Sequence, residues 1–221
     1  MFKVVVIRGI EGFCWENFEF LLSFVSAEKQ KRIRNFRSFM DATRCLLGDI
    51  LVRILLCRVT GLGNSKLEFG VNFYGKPFLA NVSGVYFNVS HVGDCVVCAV
   101  SDVPVGIDIE VVRSVDVVGV AERFFTFDEQ AYVLSASRSV VLQRFFEVWT
   151  KKESIMKCHG TSLFESLSSL SVLRVPEMEN CFFHRVYNAD GFVCYVCLNK
   201  DEMPLLEVVD VKWLLEQVRF W

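Results

Sequence analysis

Proline is scarce in this chain of 221 residues, with four in all, and histidine is scarcer, with three. No Pro/Gly/Ser-rich stretch interrupts it, so the sequence offers no flexible linker. Mean hydropathy is high at +0.37. Even so, no apolar run approaches the roughly 20 residues that a spanning helix needs, because Lys, Arg, Asp, Glu or Gly keeps intervening. Neither sign of charge dominates: 24 Lys and Arg against 26 Asp and Glu leave a net charge of −2. With a pI near 6.0, that balance excludes a globally basic nucleic-acid binder and leaves room only for a local basic patch. The apolar core of residues 1–10 is too short for a signal peptide and no small-residue cleavage site follows it. The expectation is a cytoplasmic protein that engages neither membrane nor nucleic acid. Also missing are a G-x-x-x-x-G-K-[ST] loop, a G-x-G-x-x-G fingerprint and a nucleophile elbow. Their absence argues against P-loop phosphate binding, a Rossmann dinucleotide site and hydrolase chemistry.

What is present is a chain rich in core. Hydrophobic residues make up 52% and charged residues 23%, enough for one large domain or two small ones. Nine cysteines lie mostly inside apolar runs, where a thiol behaves as a small hydrophobe. Two C-x-x-C pairs, Cys95/Cys98 and Cys194/Cys197, tempt a zinc reading. Their intervening residues look like strand interior, and positions i and i+3 of a strand face opposite sides of a sheet. Reduced core thiols are therefore expected.

Residues 3–7 read as a first strand. From Ser26 to about Arg58 the apolar spacing turns helical, with Ser26 and Asp41 as expected N-caps. Residues 67–89 read as strands around a turn at Tyr74-Gly75-Lys76-Pro77, and 95–100 and 105–112 as further strands. Helices are expected over 115–136 and 138–158, then strands near 169–174, 181–187 and 192–198. Each half thus runs helices first and strands after. The reading is α+β, with an N-terminal half at 1–104 and a C-terminal half at 105–221.

Four constellations could carry chemistry. In Val105-Gly106-Ile107-Asp108-Ile109-Glu110, Asp108 and Glu110 share one face of a strand. Adjacent carboxylates suit a hard cation such as Mg²⁺ with phosphate oxygens completing its shell; the plainer reading is the solvated face of an edge strand. Trp149, Glu153 and Lys157 form an i, i+4, i+8 stripe on a helix that Gly160 stops, unlike an ordinary core face, although Glu153 and Lys157 also suit an exposed ion pair. Phe87-Asn88-Val89-Ser90-His91 ends a strand where a phosphate could meet an imidazole and a hydroxyl. Residues 29–37 hold five cations in nine positions, either a solvated helix face or a polyanion site.

Taken in order, these segments resemble the Sfp-type 4′-phosphopantetheinyl transferases. The resemblance runs over roughly residues 22–163, through Phe24-Val-Ser-Ala-Glu-Lys29, Leu46-Leu-Gly-Asp49, Tyr74-Gly-Lys-Pro77, Phe87-Asn-Val-Ser-His91, Val105-Gly-Ile-Asp-Ile-Glu110, Arg123-Phe-Phe125 with Glu129, and Trp149-Thr-Lys-Lys-Glu153 with Lys157 and Gly160. It implies a monomer of two similar α+β halves about a pseudo-twofold axis. It also implies transfer of phosphopantetheine from coenzyme A to a serine of an apo acyl, peptidyl or polyketide carrier protein, releasing 3′,5′-ADP. By the same resemblance Asp108, Glu110 and Glu153 hold Mg²⁺, Glu153 is the general base and Lys157 contacts the α-phosphate. Ser90 and His91 lie on the phosphate side, His91, Lys29 and Arg32 near the 3′-phosphate, and Gly75, Lys76 and Pro77 frame the adenine. Val92, Cys45 and Ser162 depart from the family's usual residues. A non-catalytic CoA- or carrier-binding module of the same fold is the alternative. Exposed apolar residues of the segment around Arg123–Phe127 are expected to present a carrier-docking surface, since Phe124 and Phe125 are not both expected to face inward.

Overall fold

The computed structural model of the chain describes residues 2–160, 167–174, 181–189, 191–219 and 221. Strand β1 (Phe2–Arg8) leads into helices α1 (Trp15–Leu22), α2 (Ala27–Arg34) and α3 (Phe39–Thr60). A short hairpin, β2 (Phe69–Val71) and β3 (Pro77–Leu79), precedes β4 (Tyr86–Val92) and β5 (Cys95–Ser101). Then come β6 (Val105–Val111), helices α4 (Val117–Phe124), α5 (Phe127–Leu134) and α6 (Val141–His159), and strands β7 (Phe182–Tyr187) and β8 (Phe192–Leu198). Strand β9 (Leu205–Asp210) and helix α7 (Val211–Gln217) follow. No helix among the described residues is long and apolar enough to cross a membrane.

The chain divides into two compact units. The first takes everything up to Gly70, then Pro77–Asp102, then the chain from Pro204 on; the second takes Val71–Lys76 and Val103–Met203. The halves expected at 1–104 and 105–221 therefore exchange two segments. Residues 204–221 lie with the first unit because β9 pairs parallel with β1, Val4 opposite Leu206 and Val6 opposite Val208. Residues 71–76 lie with the second.

One pattern recurs in both units. In the first, β5 pairs antiparallel with both β1 and β4; in the second, β8 pairs antiparallel with both β6 and β7. Each time the strand that opens the unit is bonded to its last hairpin strand, with a long helix on the sheet. Helix α3 buries Leu46, Leu47, Ile50, Leu51, Ile54 and Leu55 against Phe87, Val96, Cys98 and Val100. Helix α6 packs Phe145, Phe146, Ile155 and Cys158 in one cluster with Val193, Tyr195 and Cys197 of β8.

Several local expectations shift by a turn or change type. Ser26 caps α2, its hydroxyl accepting from Lys29 N at 3.3 Å. The cap of α3 is Ser38 rather than Asp41, and Asp41 stands in the first turn, where a carboxylate favours the helix. The helix expected over 115–136 is two, broken at Phe125–Thr126 by a capping box of Thr126 and Glu129. The strand expected near 169–174 is a run of turns. Its backbone is held by charged side chains instead of a ladder: Val172 N donates to Glu129 Oε1 at 2.7 Å, and Lys152 Nζ donates to Leu167 O at 2.5 Å and Leu170 O at 2.8 Å. Both C-x-x-C pairs lie within strands, β5 and β8, and the nine cysteines are free.

Candidate active site

In β6, Gly106, Asp108 and Glu110 share the face that α6 covers. The approach of helix to strand is set at Gly106. A Cβ built there would overlap the Ser154 carbonyl oxygen and the Cys158 amide nitrogen and stand 2.7 Å from the Lys157 carbonyl carbon. Only a bare glycine admits the helix backbone at this distance. The signal for such an approach in the sequence is a glycine inside a strand.

That contact brings the two motifs together. Lys157 Nζ bonds Asp108 Oδ1 at 2.6 Å, and Asp108 is buried while Lys157 is half-buried. Trp149, Glu153 and Lys157 are all half-buried along one stripe of α6. Trp149 packs edge-on against Phe124 and stacks on Phe145, which anchors the start of the stripe.

The electrostatics follow from crowding three acids where water is scarce. Burial pushes Glu153 above the ordinary carboxylate range, the Asp108 charge pushes it further, and Lys157 pulls it back. Glu110 is raised by burial, then by Asp108, with Arg113 and Lys157 opposing. An oxygen-only set under mutual repulsion fits a hard divalent cation by its chemistry. Among the described residues, however, no three His, Cys, Asp or Glu side chains stand together closely enough to hold a metal as they are.

Next to α6 the same unit holds the turn that contains Gly75 and Lys76. Asn72 organises it: its Oδ1 accepts from Tyr74 N at 3.0 Å and Lys76 N at 2.9 Å, and Gly75 takes φ +83°. The Lys76 ammonium donates to Cys158 O at 2.9 Å and Val105 O at 3.1 Å. Burial lowers its pKa.

The remaining candidates, Lys29, Arg32, Pro77, Ser90 and His91, belong to the first unit. Lys29 Nζ stands 3.4 Å from Asp49 Oδ1, whose other oxygen takes Arg53 Nε at 3.0 Å. Lys29 and Arg32 both act electrostatically on the half-buried thiol of Cys45, so these three residues form one neighbourhood. Ser90 and His91 are consecutive in β4, one buried and one exposed, and so project from opposite faces. Ser162 lies outside the described residues.

Two further features of this unit depart from local sequence pattern. Glu129 and Lys152 form an ion pair at 2.8 Å, 0% and 1% exposed at their side chains, which ties α5 to the residue before Glu153. Within the segment expected to dock a carrier, Arg123–Phe127, Phe125 is 2% exposed and stacks on Phe145. The break in the chain at Thr126 turns it inward, and the exposed aromatic of this segment is Phe127, at 88%.

Comparison with known proteins places this arrangement in a class. Residues 104–202 match the 4′-phosphopantetheinyl transferase superfamily model, and residues 14–103 match the model described as 4′-phosphopantetheinyl transferase, N-terminal. The chain is 35% identical over 194 residues to 4′-phosphopantetheinyl transferase ffp of Bacillus subtilis, covering 83% of this chain and 86% of that protein. It is 33% identical over 199 residues to 4′-phosphopantetheinyl transferase Sfp of Bacillus subtilis strain 168, covering 86% and 88%. With 4′-phosphopantetheinyl transferase gsp of Aneurinibacillus migulanus it shares 40% identity over 152 residues, covering 69% and 63%. The chain belongs to the Sfp-type 4′-phosphopantetheinyl transferase family.

Proposed function

We propose that this chain moves the 4′-phosphopantetheine group of coenzyme A onto a serine of an apo acyl, peptidyl or polyketide carrier protein. The observation that carries the reading is the packing of the Glu153–Lys157 stripe of α6 on the Asp108–Glu110 face of β6, within a chain of this family. The serine oxygen attacks the phosphorus that bears the pantetheine, the bond to 3′,5′-ADP breaks, and the serine proton passes to a base. Glu153 is that base, directly or through a water; its raised pKa brings it closer to the pH at which it must accept and release a proton. Lys157 holds the α-phosphate, which it reaches by exchanging part of its contact with Asp108.

Asp108, Glu110 and Glu153 are the donors for Mg²⁺, which when bound neutralises the pyrophosphate and the charge that develops on the leaving ADP. Lys29, Arg32 and His91 serve the 3′-phosphate, Ser90 the phosphate side, and the backbone of Gly75, Lys76 and Pro77 the adenine. A reducing cytosol suits a monomer with nine free thiols. The alternative, a non-catalytic module, leaves the paired charges of α6 and β6 without a task.

The deciding experiment incubates the protein with CoA, Mg²⁺ and a panel of apo carriers and reads mass. A gain of one phosphopantetheine on at least one carrier supports the transferase; none on any supports the module. Within that assay, Lys29→Ala/Arg32→Ala should shrink the preference for CoA over dephospho-CoA by about tenfold, since one charge-assisted contact is worth about 1.5–3 kcal/mol. An undiminished preference would remove these residues from the 3′-phosphate site.

A further inference from the structure

The Asn72–Lys76 turn connects two strands of a hairpin, yet it belongs with the second unit. Three contacts account for this, two at the C-terminal end of α6 and one at the start of β6. Lys76 Nζ takes Cys158 O and Val105 O. Asn72 Nδ2 donates to Gly160 O at 2.7 Å. Gly160 closes the helix at φ +63°, and a Cβ there would stand 2.8 Å from Lys76 Cδ and 2.9 Å from Asn72 Nδ2. The last carbonyls of a helix lack partners within it and carry partial negative charge, so an ammonium and an amide are suited to this end.

The two carbonyls that Lys76 takes lie on different elements. Val105 opens β6, three residues before Asp108; Cys158 follows Lys157 on α6. One ammonium thus joins the strand that carries two of the acids to the helix that carries the third and the lysine. At Gly106 the bare backbone lets the helix come close, and no side chain at that position keys one element to the other.

We propose, on the transferase reading above, that Lys76 is a positioning residue: its ammonium rivets α6 to β6 and sets the register at which Glu153 and Lys157 meet Asp108 and Glu110. This assigns the side chain a different task from the adenine contact that the family resemblance implies for this position. Lys157 Nζ and Asp108 Oδ1 are 2.6 Å apart, so a small slide of α6 along β6 would break the pair. Displacing reacting groups by about 1 Å can cost about a hundredfold in rate.

The test uses the full chain with Lys76→Met, Lys76→Arg and Lys76→Gln. In hydrogen–deuterium exchange on the metal-free protein, Lys76→Met should speed exchange at residues 105–108 and 156–160 and leave β1 and α3 unchanged. In the transfer assay it should lower kcat by about tenfold or more while KM for CoA moves less than about twofold. Lys76→Arg, which keeps a cationic donor, should restore most of kcat. Unchanged exchange at those amides overturns the rivet, and so does a raised KM for CoA with kcat intact, which would mark Lys76 as a nucleotide contact. If Lys76→Met does not fold, Lys76→Gln, which reaches one carbonyl and not both, carries the same readouts. If the wild type modifies no carrier, the transferase reading fails, and the exchange arm still decides the rivet.

Discussion

Asp108 acts on its neighbours chiefly through its charge. It raises Glu153 and Glu110, and Lys157 lowers both. Removing each charge should therefore move Glu153 in opposite directions. In carboxyl-carbon NMR titrations of the metal-free protein, Asp108→Asn should lower the Glu153 pKa and Lys157→Met should raise it; shifts of the same sign would mean that the two do not act through charge. Stability follows the same sign. A carboxylate raised in the folded state favours folding while protonated, and that contribution is lost as the pH climbs through the raised value. The wild type should accordingly lose more stability than Glu153→Gln as the pH climbs from the ordinary carboxylate range through the raised value. Gly106 works by volume alone. Gly106→Ala must push α6 off β6, and the protein should lose about 1–3 kcal/mol in urea unfolding, with transfer activity falling further than stability.

At the scale of elements, the second unit depends on a buried charge pair that also serves as a brace. Glu129 takes Lys152, Thr126 N at 2.8 Å and Val172 N, so one carboxylate joins α5, α6 and the turns at 167–174. Glu129→Gln leaves the Lys152 ammonium without its counter-charge, and urea unfolding should register about 3–5 kcal/mol of lost stability. A loss below about 1 kcal/mol would show that solvent reaches the pair.

This brace also explains what the sequence could and could not show. Strands β1, β5, β6 and β8 were legible because apolar runs and period-two alternation are local signals, and α3 and α6 because their buried stripes are long. The Asp108–Glu110 and Glu153–Lys157 segments were legible as motifs. The run at 169–174 was not, because its alternation of Leu and Ser imitates a strand while its backbone bonds go to charged side chains outside the run, Val172 N to Glu129, 43 positions away, and Leu170 O to Lys152, 18 away. Strand β9 was missed for a related reason. Leu205, Leu206 and Val208 are exposed, so neither alternation nor a buried run marks the segment, and only its partner β1, far off in sequence, makes it a strand.

For the molecule as a whole, β9 and α7 complete a sheet and a core that the first residues begin. Leu214 and Val218 are buried in the cluster that also holds Val5, Ile7 and Leu51. A chain ended after Met203 should leave one side of β1 open and that cluster short of two side chains. Its melting should broaden and fall well below that of the full chain, and a sharp, unchanged transition would show that the segment contributes little.

The pairing of β1 with β9 also imposes an order of events. Residues 205–210 are synthesised only after the whole of the second unit, so β1 waits with one edge bare while β6 through β8 emerge and fold. Contacts between such distant parts of a chain form late and slowly. A chain held short of β9 should therefore protect the β1 amides that bond β5 and leave those that face β9 exchanging. One edge of the first strand made is among the last to be secured.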